Sequence, residues 1–334
     1  MKGRIFLLAL TTLLAMSVPL NGYTAPQQPS PATLKAVTFL PKNDLRVAQF
    51  LDFLKLVEQK SKGAISSKFL GSQEVMAALQ VGENLKMGTV DIAMLPGAFF
   101  EGQVPGASMI ALSQVSHEEE RRRGLWSKLA QMCAPAGLYP IGKFMPQNDP
   151  LIYIGFKKVR PASLKDLAGL KVGYSGPLLK RWVEKLGMTF VQLTNPEFYT
   201  GMERGVVDAL SLPLLNHVVY SVYELETCLL DHTVSVSNGY LLMSLKTWSS
   251  LSRDRQKAVS DAYEAWLPQT IKVQREDEDN ARKMLIEKKG KDFFVKLPPA
   301  DAARYVQSYY DAEWEYWDKR KPDLVKALKP LLAK

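Results

Sequence analysis

Ser175 lies in Gly173-Tyr174-Ser175-Gly176-Pro177, one position away from the Gly-x-Ser-x-Gly turn that presents a nucleophilic serine for acyl transfer. Pro177 occupies the place of the final glycine, and a partner histidine late in the chain is missing, because His232 is the last one and a long helical region follows it. His117, His217 and His232 are widely separated and fit no metal-ligand spacing; His-Glu-Glu-Glu-Arg from His117 puts Arg121 where His-Glu-x-x-His needs its second imidazole. No glycine-rich phosphate cradle is present. The residues therefore point to binding rather than turnover, with no metal and no cofactor expected. A hydrolase using Ser175 is the enzymatic alternative.

What binds must be positioned by the surrounding elements, and the chain repeats itself in laying them out. Gly-Thr-Val-Asp-Ile-Ala-Met-Leu-Pro at residues 88–96 returns as Gly-Val-Val-Asp-Ala-Leu-Ser-Leu-Pro at residues 205–213. Each copy follows a helix-like stretch. Gly88 and Gly205 are read as helix ends, where positive φ is favoured. Val90 and Val207 start short buried strands, Asp91 and Asp208 have capping or turn roles, and Pro96 and Pro213 close the strands.

Before the first copy come an alternating strand (34–41), a helix (44–61), a strand (64–70) and a helix (72–87). After a helical section (117–136) and two strands around the loop Pro-Gln-Asn-Asp-Pro (146–150), the order recurs from Pro161 to the second copy. This is an α/β pattern written twice, predicting two lobes that face each other as a clamshell. The boundaries read as lobe I over 31–150, lobe II over 151–238, and a return strand with long helices bridging both lobes over 239–334. Pro268 is expected to kink the long helix from about Arg253.

The first 25 residues read as a secretory signal: Lys2 and Arg4 precede an uncharged apolar stretch from Ile5 to Leu20, and Thr24 and Ala25 suggest the cleavage site, with Pro26 awkward just after it. An uncleaved anchor is the alternative. Export places the product in the periplasm, without a lipid anchor, since no cysteine lies nearby. Cys133 and Cys228 are read as two separate buried thiols, a bridge being the alternative. The formal charge of +9 falls to +7 without Lys2 and Arg4, and acidic residues are interspersed almost everywhere. That excludes a nucleic-acid partner. The basic C-terminus, Lys-Arg-Lys-Pro-Asp-Leu-Val-Lys-Ala-Leu-Lys-Pro-Leu-Leu-Ala-Lys, reads as a solvated helix.

In open α/β sheets ligands sit beyond the C-terminal strand ends. Those ends offer Phe39, Leu40, Phe99, Phe100, Phe144, Met145, Tyr174 and Leu212 as apolar candidates, each alternatively a core residue, and Ser175, Asn216, Gln147, Asn148 and Tyr240 as polar ones.

Four stretches, Leu70 to Leu95, Arg160 to Val172, Phe198 to Pro213 and Thr247 to Val259, resemble the DctP-like solute-binding proteins of TRAP transporters. The resemblance runs in order from about Leu34 to Trp317. It implies a periplasmic receptor with two α/β lobes and bridging helices. Such a receptor closes on a small-molecule ligand and delivers it to a permease of small and large membrane subunits. The resemblance also implies an arginine for the carboxylate of an organic acid and an asparagine on a second strand; here those positions hold Gly173 and Leu212. Without this clamp, a neutral or partly hydrophobic ligand is expected, unless Arg160 or Lys143 supplies a relocated cation. A sensory or interaction protein built on the same binding fold, reporting a ligand to a membrane partner, is the alternative.

Overall fold

The computed structural model describes residues 32–42, 44–145, 151–175, 177–237 and 239–334. The signal segment, with Thr24 and Ala25, and the loop candidates Gln147 and Asn148 lie outside the described residues. The first strands and helices follow the apolar spacing: β1 (Ala32–Thr38), α1 (Leu45–Lys60), β2 (Ile65–Gly71), α2 (Ala78–Met87) and β3 (Ile92–Pro96). The expected helix from residue 72 begins six residues later. Glu74 turns back to accept the Ser72 N–H at 3.0 Å, and the chain makes a tight turn there instead.

Next come α3 (His117–Arg122), α4 (Leu125–Cys133), β4 (Leu138–Lys143) and β5 (Ile152–Phe156). The second round gives β6 (Lys171–Tyr174), α5 (Lys180–Lys185), β7 (Thr189–Gln192), α6 (Glu197–Glu203), β8 (Ala209–Pro213), α7 (Leu214–Val219) and β9 (Cys228–Val234). The chain ends with β10 (Gly239–Ser244), α8 (Leu245–Ser250), α9 (Arg253–Lys289), β11 (Phe294–Val295), α10 (Pro299–Arg320) and α11 (Pro322–Leu332).

These strands form two sheets, ordered β2-β1-β3-β10-β4 and β11-β9-β5-β8-β6-β7. Read from the opposite edge, the second repeats the first strand for strand. Three parallel strands (β2, β1, β3 or β7, β6, β8) are followed by two antiparallel additions (β10, β4 or β5, β9). β11 extends the second sheet at its outer edge. The chain thus crosses between sheets after β4 and returns after β9.

The repeated motif does the same work in each sheet. Asp91 accepts the Lys35 N–H at 2.8 Å, and Asp208 accepts the Lys171 N–H at 2.9 Å. The same lysines reach back with their ammonium groups to the helix-end carbonyls, Lys35 to Gly88 at 3.1 Å and Lys171 to Gly205 at 3.2 Å. Gly88 and Gly205 adopt φ of 76° and 74°, as a glycine helix end requires. Both aspartates are strand-joining residues, so their role is structural.

Helix α9 is 37 residues long and runs unbroken through Pro268. The carbonyl that Pro268 leaves without an N–H belongs to Glu264, and both residues are exposed, on the solvent side of the helix. The first part of α9 buries Tyr263 and Trp266 against Phe53 of α1. Farther on, Ala281 and Leu285 join Leu214 and Leu229 of the second sheet's side. α10 packs on α5 and β9, with Arg181 of α5 bound to Glu313, and α11 packs on α4. Cys133 and Cys228 are separate buried thiols. Burial pushes them up to about 12 and about 11, well out of thiolate range. Among the described residues no helix is long and apolar enough to cross a membrane, and no group of side chains has metal-holding geometry.

Candidate functional site

Parallel strands deliver their C-terminal ends to one rim, and the residues just beyond β1 begin the site. Phe39 stands 5.8 Å from Phe99 and 5.9 Å from Phe144, ring centre to ring centre, joining the ends of β1, β3 and β4 in one aromatic cluster. Tilted ring pairs at this spacing add about 0.5–1.5 kcal/mol beyond area burial. Phe39 and Phe99 remain half-buried.

A few residues on, Asp44 caps α1 and Arg46 sits in its first turn. A cation there opposes the helix dipole. Asp44 offsets that cost, accepting from Arg46 Nε at 2.8 Å and Nη2 at 2.6 Å, while also accepting the Arg46 N–H at 2.9 Å. Burial alone would raise the Asp44 carboxyl, but its bonds to Arg46 and the Arg46 charge outweigh this and hold it below its ordinary value. Burial works likewise against the Arg46 charge, and Asp44 outweighs it. The Tyr220 and Tyr174 hydroxyls are close enough to act on the same guanidinium. Burial pushes both tyrosines up, against the pull of Arg46. Arg46 of α1 is thus linked electrostatically, across space, to Tyr174 at the end of β6 and Tyr220 at the end of α7.

Beside this meeting point lies a cavity lined by Arg46, Gln49, Met145, Asn216, Gln274 and Glu278, with a volume of about 40 Å³. That is room for a water or two.

The expected residues divide into three groups. Phe39, Phe99, Phe144, Tyr174 and Asn216 lie around this region, and Ser175 is exposed at the end of β6. Phe100 and Tyr240 are closed into the core, packed edge to face at 5.2 Å, and the Tyr240 hydroxyl donates to the Ala107 carbonyl at 2.6 Å. Leu212 is buried with Phe198 and Val222. Gly173 is also buried: a Cβ there would stand 2.8 Å from Leu210 Cδ2 and 2.9 Å from Leu193 Cδ1, so leucines fill the space that a side chain would need.

The two relocated-cation candidates are engaged elsewhere. Arg160 donates to the carbonyls of Thr227 and Asp292. Lys143 is fully buried in an ion pair with Glu120 at 2.7 Å. The missed cation is Arg46. Its signal was a basic residue in the first turn of a helix directly after a strand end.

Residues 36–316 match the family model described as bacterial extracellular solute-binding protein, family 7. The chain belongs to the DctP family. A solute-binding protein of Albidiferax ferrireducens is 21% identical over 228 residues, an alignment spanning 65% of each chain, just under two thirds of that relative. Among solved structures, a TRAP periplasmic solute-binding protein of Ochrobactrum anthropi, its C-terminus bound in its ligand pocket, superposes with a TM-score of 0.78. The identity is 21%, with 91% of this chain and 95% of that one covered. Another, from Desulfovibrio salexigens with bound orotic acid, gives a TM-score of 0.75 at 21% identity, covering 90% and 97%. These likenesses show the two-sheet solute-binding fold for this DctP-family chain.

Proposed function

We propose that this DctP-family chain is an extracytoplasmic solute receptor, carried to the periplasm by residues 1–25. Its α/β lobes, residues 31–150 and 151–238, close on a small molecule with residues 239–334 bridging them. The receptor hands its solute to the small and large membrane subunits of a TRAP-type permease and performs no chemistry on it. The solute is neutral or partly hydrophobic.

The observation that carries this solute class is the locked state of Arg46. A ligand carboxylate would have to displace Asp44 or share one part-buried guanidinium with it, and two carboxylates at one cation repel. The half-buried Phe39 and Phe99, with Phe144 beside them, instead offer apolar surface, while Asn216 and Tyr174 supply a few polar contacts, the composition of a site for a weakly polar molecule.

Native mass spectrometry of the purified protein, followed by identification of what it releases, tests the reading. A neutral or partly apolar adduct supports it. A released dicarboxylate or sugar acid overturns the solute class, and absence of any small-molecule binding across a broad library overturns the receptor reading itself.

A further inference from the structure

A second cavity, larger than the one beside Arg46 and sharing no lining residue with it, opens at the β4 edge of the first sheet. Its volume is about 250 Å³. An apolar cavity of about 150 Å³ is enough to take benzene. The walls are aromatic: Tyr139 of β4 and Trp248 of α8 lie parallel with ring centres 4.0 Å apart, and Trp126 of α4 and Tyr263 of α9 complete them. The mouth carries Arg121 and Glu264, which neutralise each other in an ion pair.

Two polar groups at this cavity lack partners. His117 is only 6% exposed, and its Nε2 makes no hydrogen bond. Its Nδ1 stands 3.4 Å from Glu120 Oε2, which leaves Nε2 on the opposite edge of the ring. The buried Trp126 Nε1–H is unpartnered as well, and the two rings are 5.8 Å apart. Buried polar groups are nearly always satisfied by protein, water or ligand. With its Nδ1 proton toward the Glu120 carboxylate, His117 presents a lone pair at Nε2, while Trp126 presents a donor. One hydroxyl group satisfies both, donating to His117 and accepting from Trp126. The aromatic walls match a ring attached to that hydroxyl.

We infer that this cavity is a second small-molecule site, separate from the interlobe site, for a planar phenolic compound of one or two rings. The ring lies against the Tyr139–Trp248 wall and the hydroxyl bridges His117 Nε2 and Trp126 Nε1. Net charge on the ligand is unnecessary, since Arg121 and Glu264 are mutually paired.

Calorimetric titration of the purified protein with 2-naphthol, compared with 2-methylnaphthalene, tests the assignment. The expected result is one 2-naphthol per chain, bound at least tenfold more tightly than the methyl analogue. Ala130→Phe, which fills the cavity from α4, lowers the affinity at least tenfold. Ser127→Trp, placed on the exposed rim where folding is not at stake, does the same. Tyr174→Ala leaves 2-naphthol binding unchanged. No binding, equal affinity for the methyl analogue, indifference to both cavity variants, or loss in Tyr174→Ala would each overturn the site.

Discussion

Asp44 holds Arg46 through two parallel hydrogen bonds, Nε to Oδ1 at 2.8 Å and Nη2 to Oδ2 at 2.6 Å. A guanidinium so occupied keeps only its Nη1/Nη2 edge for a ligand carboxylate, which would then share the cation with Asp44. Asp44→Asn should release it. The expected outcome is a gain of tenfold or more in affinity for small carboxylic acids, read by calorimetry across a panel, with Arg46→Gln in the same background abolishing the gain. If Asp44→Asn leaves acid binding unchanged, Arg46 does not meet the solute.

Tyr174 of β6 acts electrostatically on Arg46, and its neighbour Gly173 turns into the leucines. Tyr174→Ala is expected to weaken solute binding at least fivefold with little change in the urea midpoint. Gly173→Ala should do the reverse, keeping affinity and costing about 1–3 kcal/mol by overpacking against Leu193 and Leu210. Parallel binding and unfolding curves separate the two. A Gly173→Ala variant with native stability and lost affinity would place that position at the ligand.

The twin aspartates are not equally loaded. Asp208 accepts the Lys171 N–H, whereas Asp91 accepts both the Lys35 N–H and the Thr247 hydroxyl, the latter at 2.7 Å. Each orphaned buried partner costs about 1–3 kcal/mol. Asp91→Ala should therefore destabilise more than Asp208→Ala, by about 1 kcal/mol or more in denaturant titration. Equal losses would mean that Thr247 finds another acceptor without cost.

Glu278 lines the small cavity beside Arg46, and burial, reinforced by Asp277 and Asp279, pushes its carboxyl up to about 7 despite the opposing pull of its neighbours, Arg282 among them. Its ordinary value is 4.5, so the folded state holds the proton more tightly than the unfolded chain. The penalty for ionising it is absent below about pH 4.5 and grows as pH rises toward 7. Glu278→Gln removes that penalty. Urea denaturation should show the variant more stable than wild type at pH 8, by up to about 3 kcal/mol, and nearly equal to it at pH 4. A difference independent of pH would mean that Glu278 titrates normally.

The sequence by itself determined the α/β class, the double order of elements, the helix-ending roles of Gly88 and Gly205 and the strand-joining character of Asp91 and Asp208. Those are local matters: periodicity, positive φ and turn chemistry act within a few residues, so the chain carries them openly. It also named aromatic residues at the strand ends, of which Phe39, Phe99 and Phe144 cluster at one rim because sheet topology sends β1, β3 and β4 there.

Only the tertiary structure decided which residue of each rim points where. Phe99 and Phe100 are adjacent, yet one joins Phe39 and the other packs on Tyr240, a choice made by the turn after β3. Gly173 matched the position of a family arginine, but whether that position is open depends on Leu193 and Leu210, which come from other elements. The electrostatic link of Arg46 to Tyr174 and Tyr220, residues more than a hundred positions away, exists only in the folded chain. Likewise, the unsatisfied nitrogens of His117 and Trp126 exist only because α3, α4 and α9 close around them. Burial and pairing are properties of neighbours in space, and the sequence lists neighbours along the chain.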